Sequence, residues 1–198
     1  RRRLGRRRRI SGVGIAMGIV GIALIVAALV FGGKELGDNE SGGGGGSTEI
    51  RLPDGAASEF DPEADGRETG TEQLAIDSNP TGTAWATEHY DTQDFGGLKD
   101  GVGLTIDVGT TVGAKSMEIR SPTPGWDAQI YESSDSPPSS LSDWGQPVAT
   151  VSNGGGRETI NLPGKAAMSF LVWITKPPEA KDDPGRYQME ISDVRLFK

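Results

Sequence analysis

The chain has 198 residues, a formal net charge of −8, no cysteine and one histidine. The lack of cysteine excludes disulfides, thiolate metal sites and a cysteine nucleophile. The single His89 excludes a histidine-rich metal site and argues against a Ser-His-Asp triad. Seven of the 20 basic residues lie in residues 1–9, which leaves 13 against 28 acidic residues, or −15, for the remainder. Because this acidic part repels phosphates, we expect no nucleic-acid binding.

Residues 10–33 form an uncharged, mostly aliphatic run of 24 residues. A helix of that length spans about 36 Å, enough to cross a hydrocarbon core of about 30 Å. The arginine cluster at 1–9 predicts that the N-terminal side stays in the cytoplasm and that the rest lies outside. We therefore predict a single-pass plasma-membrane protein whose residues 10–33 contact the lipid bilayer. A cleaved signal peptide is the alternative, but its apolar region is typically about 7–15 residues long.

Two further expectations concern this N-terminal region. Gly14 and Gly18 have the GxxxG spacing that lets membrane helices approach closely, which is the basis for a helix-mediated dimer. The chain begins at Arg1 rather than at a methionine, so we expect it to be the C-terminal part of a longer product.

Residues 34–71 contain the run SGGGGGS, many acids and few large apolar residues. A segment of this composition cannot bury enough apolar surface to fold, so we predict a disordered linker. It serves either as a stalk that holds a domain off the membrane or as a simple connection.

Residues 72–198 have the size of one domain. Val102, Leu104, Ile106 and Val108 alternate with smaller or polar residues, the period-two pattern of a strand. Turn signals rich in Gly and Pro separate the further predicted strands, which favours an all-β sandwich or barrel. These strands are Val112–Arg120, Ala128–Ser133, Pro147–Ser152, Glu158–Leu162, Met168–Thr175 and Tyr187–Phe197.

Two of these strands have patterns that predict more detail. MSFLVWIT at 168–175 is apolar at both parities, which indicates a central strand covered on both faces, or one with Leu171 and Trp173 under a loop. In the last strand the apolar parity changes after Ile191, which predicts a bulge near Ser192–Asp193.

The letters DFG at 94–96 match the magnesium loop of protein kinases, but no catalytic loop precedes them. We interpret the match as chance.

The ordered series AIDSNPTGTAWATEHY, FGGLKDGVGLTIDVG, FLVWIT and YQMEISDVRLF resembles a discoidin-type domain (coagulation factor 5/8 type C, galactose-binding-like) over residues 73–197. This resemblance implies a β-sandwich jelly roll. More narrowly, FGGLKDGVGLTIDVG is similar to the extracellular discoidin-like domains that follow the transmembrane helix of actinobacterial kinase-like proteins. Some of those are associated with the lipid II flippase system of cell-wall synthesis. The resemblance therefore implies a kinase or pseudokinase domain before Arg1.

Many discoidin relatives hold a structural calcium in the turn before the conserved tryptophan. By this resemblance the ligands are Asp77, Thr83, backbone oxygens near Asn79, and Asp193 from the last strand, and oxygen-only ligands suit calcium. The chain departs from the family pattern, since Ser78 replaces a glycine and one extra residue precedes Thr83. The alternative is an Asx turn, in which Asp77 and Asn79 bond nearby backbone amides.

In carbohydrate-binding relatives, loops at one end of the sandwich present aromatic and polar groups to the sugar. We predict His89, Tyr90 and Asp94 in the loop 87–97, together with Trp126 and Lys176, as ligand-binding residues. The alternatives are a polar surface loop with Tyr90 and Phe95 tucked against the core, a Trp126 that belongs to the core, and a solvated Lys176.

The sequence thus predicts a binding domain and no enzyme within this chain. We expect a cell-envelope ligand, a glycan or a peptidoglycan-related polymer, sensed or positioned for a kinase-like protein. The alternative is a docking module for a membrane protein partner in cell-wall assembly. A sugar site needs an exposed aromatic ring with convergent polar groups, whereas a docking site needs a broad apolar patch. A lipid-binding discoidin domain fits poorly, because the acidic part is repelled by anionic lipid.

Overall fold

The computed structural model describes residues 47–64, 66 and 68–198. The predicted basic segment 1–9 and the predicted transmembrane helix 10–33 lie outside these residues, and so do 15 of the 38 residues of the predicted linker 34–71. Within the described part of the chain, no helix has the length and apolar character needed to cross a membrane.

The described residues form antiparallel strands and short 3₁₀ turns. One sheet has the strand order β2-β4-β9-β6-β7, a second has β1-β11-β5-β8, and β10 pairs with β3 as a two-stranded ribbon. The strands are β1 (Glu49–Ile50), β2 (Ala57–Phe60), β3 (Trp85–Ala86), β4 (Val102–Val112), β5 (Ser116–Arg120), β6 (Trp126–Ser133), β7 (Ala149–Gly154), β8 (Arg157–Asn161), β9 (Ala167–Lys176), β10 (Glu190–Ile191) and β11 (Asp193–Phe197). The 3₁₀ turns are Glu72–Ala75, Phe95–Gly97 and Leu141–Trp144. The prediction of an all-β sandwich is confirmed.

The main core lies between the two larger sheets, and the period-two pattern of β4 explains its position. Val102, Leu104 and Ile106 are fully buried in this core. The intervening Gly103 lies on the other face, where an added Cβ would meet Leu171 at 2.6 Å. Alternate residues of β4 therefore serve two different layers, as strand geometry requires.

Strand β9 is covered on both faces, as its sequence predicted. Phe170, Val172 and Ile174 face the main core. On the other face Leu171 and Trp173 belong to a second apolar cluster with Phe60, Tyr131 and Trp144. Trp144 ends a 3₁₀ turn in the segment after β6, so a loop covers this face of the sheet.

The sequence predicted a bulge near Ser192–Asp193, and the structure interrupts the strand at Ser192, between β10 and β11. β10 pairs with β3, whereas β11 pairs with β1 and β5, so the chain changes partners at Ser192. This change reverses the parity of the buried side chains and lets Ile191 and Val194 both reach the core.

The predicted domain boundary at residue 72 is wrong. β1 pairs with β11, and β2 pairs with β4, so the sandwich already contains residues that the sequence assigned to the linker. Ile50 and Phe60 are buried at 6% and 7% exposure. A segment with few large apolar residues can still be part of a folded domain when those residues, here Ile50 and Phe60, are buried against the rest of the sandwich.

The strand registers define two ends of the sandwich. Phe197 pairs with Ser116 and with Glu49, so both ends of the described chain lie beside the start of β5. The amide of Lys198 donates to Thr48 O over 2.8 Å. β4 begins, and β9 finishes, at the opposite end, because Val102 pairs with Ile174. The segments that follow β3 and β9 therefore lie far from the chain termini.

Candidate functional site

Two loops meet at the end of the sandwich opposite the termini. They are residues 87–94, after β3, and residues 177–188, after β9. Tyr90 and Tyr187 exchange backbone hydrogen bonds of 2.9 Å in both directions. Arg186 donates through Nη2 to His89 O over 2.7 Å, and its Nε lies 3.1 Å from Asp91 Oδ1. We call this pair of loops the binding end.

His89 lies between two polar partners of the binding end. Its Nε2 is 3.4 Å from Asp182 Oδ1, and its Nδ1 is 3.4 Å from Gln188 Nε2. The His89 side chain is 31% exposed, so an edge of the imidazole faces solvent. The predicted ligand residue His89 therefore lies in an accessible position between Asp182 and Gln188.

The segment after this loop forms a tight turn beside a groove. Phe95, Gly96 and Gly97 have φ values of 56°, 71° and 67°, three consecutive left-handed residues. The next residue, Leu98, is 81% exposed. The open groove has a volume of about 660 Å³ and is lined by Leu98, Asp94 and other residues of this turn, with Glu63, Asp100 and Thr175.

A buried charge cluster supports this turn from inside. Lys99 Nζ donates to Asp61 Oδ2 over 2.8 Å and to Glu68 Oε1 over 2.7 Å. The three side chains are 7%, 1% and 0% exposed. The Tyr90 hydroxyl donates to Glu68, and the Lys99 ammonium lies 5.2 Å from the centre of the Tyr90 ring. We call Asp61, Glu68, Tyr90 and Lys99 the lysine cluster.

The environment of the lysine cluster changes two pKa values. Burial disfavours the Lys99 ammonium, but its hydrogen bonds to Asp61 and Glu68 outweigh burial, so the pKa of Lys99 lies above its usual value. Burial, together with the neighbouring Glu68 carboxylate, raises the pKa of Tyr90. Both groups therefore keep their protons at neutral pH.

A second carboxylate holds the segment that carries Glu68. Glu59 in β2 accepts hydrogen bonds from the amides of Glu68, Thr69 and Gly70, and from Trp85 Nε1 over 3.0 Å. Burial opposes ionisation of Glu59, but these hydrogen bonds outweigh it and lower its pKa. The described residues of the segment 59–70 thus form a strap that Glu59 holds beside Trp85 and that places Glu68 next to Lys99.

The structure corrects two predicted ligand residues. Trp126 is fully buried, and its Nε1 donates to Gly155 O over 3.2 Å, so it belongs to the core. Tyr90 is 6% exposed, and its ring packs edge-on against Phe95 at 5.0 Å. Both rings are large apolar groups next to the core, and their burial stabilises the fold more than exposure does.

The remaining predicted ligand residues lie around the same end. Asp94 is exposed, lines the groove and accepts a hydrogen bond from the Thr92 hydroxyl. Lys176 is the last residue of β9, next to Thr175 of the groove, and pairs in register with Asp127. The fold therefore brings His89, Asp94 and Lys176 to one end of the sandwich.

The predicted calcium turn is an Asx turn whose oxygens converge. Asp77 Oδ1 accepts from the Asn79 amide over 2.8 Å, and Asp77 Oδ2 accepts from the Thr83 hydroxyl over 2.6 Å. The Thr83 hydroxyl is also 3.2 Å from Asn79 O. The Thr83 hydroxyl thus lies within hydrogen-bond distance of a carboxylate and of a carbonyl oxygen, and these three oxygen types suit calcium.

Asp193 does not fit this donor set. It lies in β11 opposite Arg120, and its Oδ2 accepts from Arg195 Nε over 2.7 Å. Arg120 Nε lies 3.9 Å from the same oxygen. The Asp193 carboxylate therefore pairs with arginines on the sheet and does not contribute to the turn 77–83. Across the described residues, no three His, Asp or Glu side chains are grouped to hold a metal ion.

Sequence reasoning missed the lysine cluster, the strap and Leu98. The cluster joins Lys99 to acids 31 and 38 residues earlier in the chain, in a segment that composition assigned to a linker. The alternation of ASEF at 57–60 was the available signal for a strand, but four residues carry little periodicity.

Comparison with solved structures identifies the architecture. The chain is similar to the CBM32 of AlyQ in complex with 4,5-unsaturated mannuronic acid, with a TM-score of 0.53 and 15% identity over 76% of this chain and 98% of that one. It is also similar to a truncated AlyQ with CBM32 and alginate lyase domains, at 0.52 and 16%, over 77% of this chain and 33% of that one. A third likeness is the module CpGH89CBM32-6 produced by Clostridium perfringens, at 0.50 and 12%, over 76% and 99%.

These likenesses confirm the discoidin-like, galactose-binding-like β-sandwich that the sequence motifs implied. The identities are low, so they show the fold alone. No protein-family model matches the chain.

Proposed function

We propose that the sandwich is a non-catalytic module that binds a glycan of the cell envelope at the binding end. The observation that carries this proposal is the convergence of His89, Arg186, Asp91 and Asp182 on two loops that hydrogen-bond to each other. Fixed donors and acceptors at an accessible loop end are what sugar hydroxyls require. The discoidin-like fold supports the proposal, since structures that share it are carbohydrate-binding modules.

The contacts of this site are polar rather than aromatic. Among the described residues, every Trp, Tyr and Phe side chain is buried except Tyr187 and Phe197, which are half-buried, and Tyr187 lies in the binding end. No fully exposed aromatic ring is available, so recognition depends mainly on hydrogen bonds and on small apolar contacts. The same residues lack a broad apolar patch, because Leu98 and Val148 are the only large apolar side chains among them that are exposed. Neither an exposed aromatic ring nor a broad apolar patch therefore separates the two alternatives, and glycan binding is preferred because of the polar groups on the two loops and the discoidin-like fold.

The binding end lies opposite the end of the sandwich at which the described residues begin. The described chain enters at Ser47, beside its C-terminal Lys198, at the opposite end of the sandwich. We propose that residues 10–33 anchor the chain in the plasma membrane, with 1–9 in the cytoplasm and the sandwich outside. Ligand capture would then be reported to, or would position, a kinase-like domain before Arg1. The hydropathy and charge of the first 33 residues support this arrangement.

We further propose that the turn 77–83 binds calcium weakly through Asp77, Thr83 and the carbonyl of Asn79. Binding requires the Thr83 hydroxyl to turn from the Asp77 carboxylate toward the ion. The ion would stiffen the turn before β3, and Asp193 would not contribute.

The test is a binding titration of the full chain in detergent. All four tryptophans lie in the described sandwich, so intrinsic fluorescence reports on this domain alone. Peptidoglycan fragments and simple sugars are added, with and without calcium. We expect saturable binding that His89→Ala and Arg186→Ala weaken. A folded protein that binds no fragment or sugar would refute the proposal and direct the search to a protein partner.

A further inference from the structure

Leu98 lies four residues after the first loop of the binding end, and glycan hydrogen bonding does not explain its exposure. At 81% exposure it is far more accessible than Val148, at 37%. A single exposed leucine is common on protein surfaces and by itself carries no meaning. Leu98 differs because the chain on both sides of it is anchored, and because it lies at the rim of a groove.

The first anchor is Phe95, three residues before Leu98. Its side chain is 1% exposed and packs edge-on against Tyr90. Phe95 itself has a φ of 56°, a conformation that costs energy for a residue with a Cβ and persists only when the surroundings impose it. The buried ring and the two glycines that follow direct the chain outward at Leu98.

The second anchor is Lys99, directly after Leu98. Its ammonium points inward to Asp61 and Glu68, both within 2.8 Å. Phe95 and Lys99 are both held in the interior of the domain. Leu98 therefore cannot turn inward without breaking the ion pairs of Lys99 or exposing the Phe95 ring. The leucine is therefore a fixed apolar projection rather than part of a mobile loop.

The groove beside Leu98 has a defined chemistry. Its exposed ionisable groups are the carboxylates of Glu63, Asp94 and Asp100, and the hydroxyl of Thr175 adds a neutral partner. The positive charge that lines it, Lys99, is neutralised by the two buried acids. Carboxylates accept hydrogen bonds from sugar hydroxyls or from an ammonium group, but they repel an anionic ligand.

We propose that Leu98 is a ligand contact that packs against the apolar face of a neutral or amine-bearing sugar ring in this groove, whose hydroxyl or amino groups bond to Asp94 and Asp100. The inference rests on the glycan-binding function proposed above. It identifies Leu98 as the residue that contacts the sugar ring. It also excludes uronic-acid polymers as the ligand, because the carboxylates of the groove repel them.

The test compares the full chain with Leu98→Ala and with Val148→Ala, the matched loss of an exposed apolar side chain outside the groove. Three oligosaccharides serve as probes: N-acetylglucosamine oligomers (neutral), glucosamine oligomers (amine-bearing) and galacturonate oligomers (anionic). We expect the unaltered chain to bind at least one of the first two and to bind galacturonate at least tenfold more weakly. Leu98→Ala should weaken binding at least tenfold with an unchanged melting temperature, whereas Val148→Ala should change neither.

The outcomes separate the inference from the function on which it depends. If the unaltered chain binds none of the three probes, nor the fragments and sugars of the first titration, both are overturned. If it binds a probe and Leu98→Ala binds equally well, only the role of Leu98 is overturned. Preference for galacturonate would overturn the charge argument. Self-association in sedimentation that Leu98→Ala abolishes would assign the leucine to a contact between copies and would also overturn the inference.

Discussion

Replacing Lys99 by methionine tests whether the lysine cluster stabilises the fold. Methionine keeps most of the apolar stem but removes the ammonium from Asp61 and Glu68, whose side chains are 1% and 0% exposed. Glu68 retains the Tyr90 hydroxyl as a partner. Asp61 loses its side-chain partner, since its other oxygen, Oδ1, is already buried without one. Removing one partner of a buried ion pair typically costs about 3–5 kcal/mol.

That loss is a large share of a domain stability of about 5–15 kcal/mol. For a domain of this size it corresponds to a decrease in melting temperature of about 6–20 °C. Urea unfolding followed by tryptophan fluorescence measures this loss of stability, and Lys181→Met, the loss of an exposed lysine, is the control.

Since the pKa of Lys99 is raised in the folded state, the stability that Lys99 contributes is complete below its unfolded pKa of about 10.4. This contribution is lost as the pH rises through the folded value.

The pH dependence distinguishes the electrostatic explanation from a packing defect. In Lys99→Met no ammonium remains at this position to lose a proton. We therefore expect the difference in the free energy of unfolding between the unaltered chain and the variant to shrink as the pH rises above about 10. A loss below about 1 kcal/mol, or one that is independent of pH, would refute the reasoning.

Gly154→Ala should destabilise the fold by about 1–3 kcal/mol in urea unfolding, because its Cβ would lie 2.5 Å from the buried Trp126 indole. Gly156→Ala, whose Cβ would find ordinary contact at 3.6 Å, should cost clearly less; equal losses would contradict this account. The fragment 72–198 should show no cooperative melting by circular dichroism, because it lacks β1, β2 and the strap; a sharp transition would show these to be dispensable. Calcium should raise the melting temperature of the unaltered chain and not that of Asp77→Ala, and equal shifts in both would refute calcium binding at the turn.

The central strands were predictable because their side-chain pattern is local. The alternation of β4 identifies the core face directly, and the apolar run of β9 indicates cover on both faces. The change of parity after Ile191 predicts the break at Ser192, because a strand with one buried face cannot shift by a residue without a bulge. These features need only neighbouring residues and the geometry of a strand.

The candidate site was predictable only in part. The resemblance to carbohydrate-binding relatives placed His89, Asp94 and Lys176 in loops at one end of the sandwich, and the structure brings them there. The exposure of each aromatic ring could not be read from the sequence, since a tryptophan beside a turn suits a core as well as a surface. Trp126 is buried because Gly154, in the neighbouring strand, has no side chain and leaves room for the indole to pack against its backbone.

Composition, charge and the period-two pattern by themselves determined an acidic β-sandwich preceded by a long apolar segment. Only the tertiary structure shows that residues 49–50 and 57–60 are strands of the sheets and that Glu59 holds the strap. It also shows that Lys99 is buried in ion pairs with Asp61 and Glu68. Strands of two to four residues are too short to show a period, and an ion pair across 31 residues leaves no local pattern. Such contacts form only because the folded core brings distant segments together. The buried charges of Asp61, Glu68 and Lys99 are stable there because they pair with one another.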